Sequence, residues 1–174
     1  MFTTLLALAT IALQVGIVVL IIGWVIKAPF VRWIAHHAGI ILAVIFGGGV
    51  IGSFIYQYGF GYEPCLLCWY QRIAIVPIAI LAWTANIRKN SLLQRQTLIL
   101  SILGFVIALF HVYIDVSPTA ADVCGAGPSC LVRYVYEFGY ITIPVMSATT
   151  LLSGIVLALL AKRYPQDSVV ISTQ

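Results

Sequence analysis

Between Thr3 and Ile26 the chain runs for 24 residues without a charged side chain. At about 1.5 Å per residue, an α-helix of that length crosses a hydrocarbon core of about 30 Å. In lipid no water satisfies the backbone, so such a run must be helical unless it closes into a barrel. Four further apolar runs follow, Ala38–Tyr58, Leu66 to about Asn86, about Leu92 to Ile114, and about Gly139 to Ala161. Only 8% of the 174 residues are charged and 62% are hydrophobic, whereas a soluble domain carries about 25% charged residues. These runs predict an all-α integral membrane protein with five spans. The first run lacks a basic leader, is long for a signal sequence and ends without a small-x-small cleavage site, so it reads as a retained transmembrane helix. Gln14 is its one strongly polar interior residue.

Charge predicts how the spans are threaded. Alternate connections hold Lys27 and Arg32, then Arg88, Lys89 and Arg95, then Lys162 and Arg163, while the opposite loops hold only Arg133 with Glu63, Asp115, Asp122 and Glu137. By the positive-inside bias, the N-terminus lies outside, the C-terminus is cytoplasmic, and all the cysteines face the extracytoplasmic side. The net charge of +4 is therefore a matter of topology and not a nucleic-acid footprint. Phe30 to His37 reads as an interfacial link with Trp33 at headgroup level. His36 and His37 are adjacent and lack the i, i+4 spacing that places two metal ligands on one helix face. The glycines from Gly47 to Gly52 predict close packing within the bundle, and Pro77 predicts a bend in the third span. Leu131 to Tyr140 reads as an interfacial segment, and residues 164–174 as a polar, disordered tail.

The chemistry lies in four cysteines, Cys65, Cys68, Cys124 and Cys130. Cys65 and Cys68 form a Cys-x-x-Cys pair where a polar loop enters a span, so the positive end of the helix favours thiolate. Arg72 follows Cys68 by four residues and shares its helix face, and an intramembrane arginine is costly enough to suggest function. Cys124 and Cys130 flank a turn rich in glycine and proline. Three readings are open. Two structural disulfides would close loops too short to stabilise a bundle much. A metal site would use all four cysteines, or three with His111, but the second spacing differs from zinc knuckles, and no metal is expected. An electron relay would exchange thiols and disulfides between the pairs and pass electrons to a lipid-soluble quinone beside Arg72.

The stretch Cys65-Leu66-Leu67-Cys68-Trp69-Tyr70-Gln71-Arg72 resembles the signature of DsbB-type disulfide bond formation proteins, in particular the shorter BdbC-like branch, as does the compact pair Cys124-x₅-Cys130. His111-Val112-Tyr113 and Phe138-Gly139-Tyr140-Ile141-Thr142-Ile143-Pro144 also match. The resemblance runs from about Ile40 to Leu160. It implies a four-helix bundle at residues 38–163 that reoxidises a DsbA-like thioredoxin-fold thiol oxidase and reduces the membrane quinone pool, ubiquinone or menaquinone, in a bacterial cytoplasmic membrane. It further implies redox-active disulfides Cys65–Cys68 and Cys124–Cys130. Cys68 and Arg72 would then lie at the quinone, with His111 near its pocket. Cys65 would exchange with the loop pair, Cys124 would be attacked by the soluble partner, and Cys130 would pass electrons inward. Residues 1–37 depart from the family pattern as an extra N-terminal helix and linker. A vitamin K epoxide reductase-like relay is a rival, but there the loop cysteines precede the Cys-x-x-Cys pair. A non-enzymatic scaffold with two structural disulfides is the alternative of another class.

Overall fold

The computed structural model describes residues 1–88, 91–117 and 129–164. The chain forms α1 (Phe2–Val25), α2 (Pro29–His36), α3 (Ala38–Phe54) with a π-helical turn at Ile55–Gly59, α4 (Leu66–Arg88), α5 (Ser91–Val116) and α6 (Ile143–Arg163). Five of these segments, all but α2, are long and apolar enough to cross a membrane. Among the described residues no strand forms, and the one bridge joins Glu137 to Ile141. This is the all-α integral membrane architecture that the apolar runs predict.

Helices α3, α4, α5 and α6 pack in sequence, and α3 closes on α6. Their shared core contains Leu42 and Phe46 of α3, Ile75 and Ile78 of α4, Ala108 of α5, and Leu151 and Leu157 of α6. Close approach depends on two glycines. A Cβ on Gly104 would sit 2.9 Å from Ala74 and 2.8 Å from Leu151, and one on Gly154 would sit 2.5 Å from the Ser101 hydroxyl and 2.8 Å from Phe46. Either contact is shorter than van der Waals packing tolerates, so these positions set how closely the four helices meet. The glycines of α3 behave differently. Gly47 and Gly48 have nothing within 4 Å of such a Cβ, and Gly49 and Gly52 meet Thr150 and Leu6 at ordinary distances. The expected close packing is therefore replaced by open space at Gly47 and Gly48, while Gly49 and Gly52 pack on α6 and α1.

Helix α1 lies against α6 and α2. Its polar residue makes the join: Gln14 Nε2 donates to Thr149 Oγ1 at 3.1 Å, and the Tyr140 hydroxyl donates to Gln14 Oε1 at 2.8 Å. In an apolar surrounding these bonds have little competition from water. Ile17 packs with Val31, Ala35, Val156 and Leu160 in a second apolar cluster that ties α1, α2 and α6 together. The link expected at Phe30–His37 is largely helix α2, Pro29–His36, burying Val31 and Ala35 and exposing Trp33, as an interfacial helix should.

Two boundaries differ from expectation. Helix α6 begins at Ile143 and not near Gly139, because Phe138 and Gly139 both take positive φ, 53° and 79°, and turn the chain before Thr142. Left-handed backbone cannot continue a right-handed helix, and Pro144 is placed in the first turn, where its missing N–H costs nothing. The second span widens into a π-helical turn around Tyr56, which the apolar pattern does not reveal. Helix α4 continues through Pro77. The tail beyond Tyr164 and residues 118–128, which include Asp122 and Cys124, lie outside the described residues.

Candidate functional site

The loop from Phe60 to Pro64 delivers Cys65 to the start of α4, and one helical turn brings Cys68 back beside it. Both are free thiols with sulfurs 3.2 Å apart. Cys65 is buried, and His111 of α5 lies behind it with Nε2 at 3.8 Å from its sulfur. Gln71, also buried, places Nε2 at 3.1 Å from His111 Nδ1. With the Gln71 amide donating, the histidine proton sits on Nε2 and points at the sulfur. The hydrogen bond shared with Cys68 holds the Cys65 thiol well below the usual cysteine range. Burial opposes this and the His111 contact reinforces it.

Cys130 completes the group. It is disulfide-bonded, it is buried, and it packs with Cys65, Leu67 and Ile114. The ligating atoms of Cys65, His111 and Cys130 all lie within 4.8 Å of one another. The loop that carries Cys130 is pinned to α5 by Arg133, whose Nε donates to Asp115 Oδ1 at 2.7 Å and whose terminal nitrogen donates to the Asp115 carbonyl. Tyr134 stacks on Tyr62 with centroids 4.7 Å apart, joining this loop to the one before Cys65.

Arg72 shares a face of α4 with Cys68, but its guanidinium reaches toward α3. It donates to the Ser53 carbonyl at 2.9 Å and to Gln57 Oε1, and it lies over the rings of Phe54 and Trp69 at 5.5 and 5.3 Å. Four contacts fix a charge that would otherwise snorkel away from the apolar region.

A cavity of ≈ 560 Å³ adjoins these groups, lined by Cys65, Cys68, Gln71, Arg72 and His111 at one end and by α1, α3 and α6 beyond. Two hydroxyls in its wall, Tyr56 OH and Thr142 Oγ1, are buried with no hydrogen-bond partner. Unpaired buried hydroxyls are costly, and here they accompany a cation in a largely apolar chamber. That donor set suits a ligand with carbonyl oxygens on an apolar body. A quinone has that form.

The sequence model of the family "Disulfide bond formation protein DsbB" matches residues 32–173. The chain belongs to the DsbB family. Among relatives, the "Probable disulfide formation protein" of Chlamydia caviae is 35% identical over 119 residues, covering 68% of this chain and 86% of that protein. The "SPbeta prophage-derived disulfide bond formation protein B" of Bacillus subtilis is 33% identical over 66% of this chain and 79% of its own length. The "Probable disulfide formation protein C" of Halalkalibacterium halodurans is 32% identical over 66% and 85%. No solved structure is a significant match. As a DsbB-family membrane protein the chain has a role in disulfide bond formation.

Of the residues singled out in the sequence, the structure brings together Cys65, Cys68, Cys130 and His111, with Arg72 on the same cavity. Cys124 lies outside the described residues. His111 stands beside Cys65 and Cys130 and not only at the edge of the cavity. Sequence reasoning passed over Gln71, Gln57, Ser53, Tyr56 and Thr142. Gln71 was discoverable, since it sits inside the Cys-x-x-Cys-x-x-Gln-Arg stretch and is a polar residue in an apolar span. The others acquire meaning only from what they face.

Proposed function

We propose that this protein is a thiol:quinone oxidoreductase that reoxidises a DsbA-like thioredoxin-fold oxidase outside the cytoplasmic membrane. The observation that carries this reading is the cluster of Cys65, His111 and Cys130 within 4.8 Å, adjoining the cavity that holds Arg72. The same trio is compact enough for a metal ion. Cys130 is already disulfide-bonded, however, and offers no thiolate in this state, so disulfide exchange is the chemistry that uses all three.

A thiolate of the reduced partner attacks Cys124 of a Cys124–Cys130 disulfide and releases Cys130 as thiolate. Cys130 then attacks Cys65 of the oxidised Cys65–Cys68 pair, freeing Cys68. The partner's second thiol resolves its bond to Cys124 and leaves oxidised. Cys124 next attacks Cys130, re-forming the loop disulfide and expelling Cys65. Each step breaks one disulfide and makes one, and the electron pair ends on Cys65 and Cys68. His111 assists the last exchange by donating Nε2–H to the departing Cys65 thiolate, and Gln71 holds the ring in that tautomer. Free Cys65 and Cys68 beside a bonded Cys130 are compatible with the end of this sequence.

Closing the Cys65–Cys68 disulfide releases two electrons and two protons, for which a membrane quinone, ubiquinone or menaquinone, would be the acceptor. Cys68 and Arg72 face its chamber, and Arg72 stabilises charge developing on a ring oxygen. Tyr56 OH and Thr142 Oγ1 are available as further donors. The charge bias of the loops supports an orientation with the cysteine end outside and the C-terminus in the cytoplasm.

The test is an anaerobic assay with purified protein, a reduced thioredoxin-fold oxidase and a soluble quinone. One quinone reduced for each partner disulfide formed is the expected result. Partner oxidation that occurs only after oxygen is admitted, with no quinone consumed, would remove quinone as acceptor. No change in either reactant would leave the cysteines a structural role.

A further inference from the structure

The family match begins at residue 32, so α1 lies outside it. Yet α1 lines the cavity with Leu6, Ala9 and Leu13, an i, i+3, i+7 stripe on one helix face. The helix is held in register by Gln14, which bonds Thr149 and Tyr140. At its start Phe2 packs edge-on against Tyr56, with centroids 5.7 Å apart. Helix α1 is thus built into the chamber and is not a loose anchor beside it.

The chamber has two unlike ends. Arg72 and the unpaired hydroxyls of Tyr56 and Thr142 stand toward the cysteines. Farther in, the wall is Leu13 of α1 with Gly48 and Val44 of α3. Along α3 the lining runs from Val44 to Ser53, about 13 Å at the rise of an α-helix. A Cβ on Gly48 would meet nothing within 4 Å, and Val44 is 68% exposed, so the inner end opens sideways between α1 and α3. Helix α1 leans mainly on α6 and meets α3 at Leu6 against Gly52, which leaves that gap farther in, at Gly48 and Val44. The polar end suits a ring with carbonyl oxygens, and an apolar slot open to lipid suits a long hydrocarbon substituent.

We infer that α1 and the glycine face of α3 form the tail channel and lateral entrance of the quinone site, with Leu6, Ala9 and Leu13 against the isoprenoid chain. This rests on the quinone reading above. It makes α1 a determinant of which quinones bind, through the tail and not the ring. Leu8 points the opposite way and is 49% exposed, so it provides a control on the same helix.

Two measurements test this on the full-length protein in detergent. First, a quinone carrying a photoreactive diazirine in its isoprenoid tail is cross-linked and the labelled peptides are mapped by mass spectrometry. Label on residues 6–13 and 44–48, displaced by excess unlabelled isoprenoid quinone, is expected. Label elsewhere, or label displaced by phospholipid and not by quinone, overturns the inference. Second, binding is measured for Ala9→Trp and Leu8→Trp, using a long-tailed quinone and its tail-less headgroup. Ala9→Trp should weaken long-tailed quinone binding about tenfold, the scale of a lost apolar contact of ~1.4 kcal/mol, and leave the headgroup unchanged. Leu8→Trp should change neither. Equal effects on both quinones, or none, overturn the role of α1 while leaving the quinone reading intact. If the wild-type protein binds neither quinone, the parent reading fails first. The cross-linking needs no variant, so misfolding of Ala9→Trp would not remove the test.

Discussion

The first turns of α4 present two cysteines with different neighbours at one end of the same cavity. Cys65 is 5% exposed and wedged against α5 and the Cys130 loop, with its neighbours within hydrogen-bonding or exchange reach. Cys68 and Arg72 border the chamber between α1, α3 and α6. Sulfur-to-sulfur exchange needs close, ordered atoms and no competing solvent, whereas an acceptor that comes and goes needs space and an entrance. On the proposed reading one Cys-x-x-Cys turn would serve both, because Cys65 is backed by His111 and Cys130 while Cys68 stands on the helix face of Arg72, at the edge of the same cavity. The difference suggests that thiol exchange and quinone reduction can be impaired separately.

The largest expected effect comes from the cysteines themselves. Cys65→Ser and Cys68→Ser should each reduce turnover to background, but with different residues. Cys68→Ser keeps the sulfur that faces Cys130 and should accumulate a Cys65–Cys130 disulfide during reaction with reduced partner. Cys65→Ser should not, and peptide mapping under non-reducing conditions distinguishes them. A Cys68–Cys130 bond in the Cys65→Ser protein would break the division between the faces.

Next in size is Arg72→His, which acts on the chamber side. Loss of a fixed charge at a developing oxyanion costs about 10²-fold in kcat, so kcat and kcat/KM for quinone should fall together by about that factor. The rate of partner oxidation in a single turnover without quinone should be unaffected.

His111→Ala belongs to the exchange face, and about a tenfold slowing of the single-turnover exchange is expected, below the usual range for general acid–base groups because no proton need transfer fully. Its signature is a pH shift. The Cys65 thiol ionises below its ordinary range in part through His111, so thiolate is present above the lowered pKa and is lost as pH falls through it. Without the imidazole that loss should occur at higher pH, as read from thiolate ultraviolet absorbance of the reduced protein. An unmoved titration would remove His111 from the exchange face.

The smallest effect is Gln14→Leu. Interhelical hydrogen bonds in membranes contribute about 0.6 kcal/mol, so thermal stability should fall slightly. Binding of a long-tailed quinone should weaken more than exchange with the partner, because α1 borders only the chamber.

Much of the fold was legible because lipid restricts the backbone so strongly. Any long uncharged run had to become a helix, and the charge bias of the loops then suggested the threading. The cysteine spacing and Arg72 pointed to where the chemistry would lie for a similar reason: few polar residue types appear in a membrane span without a task. The glycines misled, because a glycine stripe reads the same whether a helix or a cavity lies against it. Gly104 and Gly154, isolated in sequence, make the close contacts, while Gly48 borders empty space. The start of α6 was also misplaced, since apolar Phe138 and Tyr140 extend the hydrophobic pattern through a left-handed turn.

By itself, then, the sequence determined the helical membrane class, the spans to within a few residues, the two cysteine pairs and the cation between them. These depend on local composition and short spacings, and the physics of lipid narrows the helical part most. Only the tertiary structure decided that His111 backs Cys65 from 46 residues away, that Gln71 orients it, that Arg72 turns to α3, and that α1 walls the chamber. Each of these depends on which helix faces are brought together, and that is set by the packing of the whole bundle.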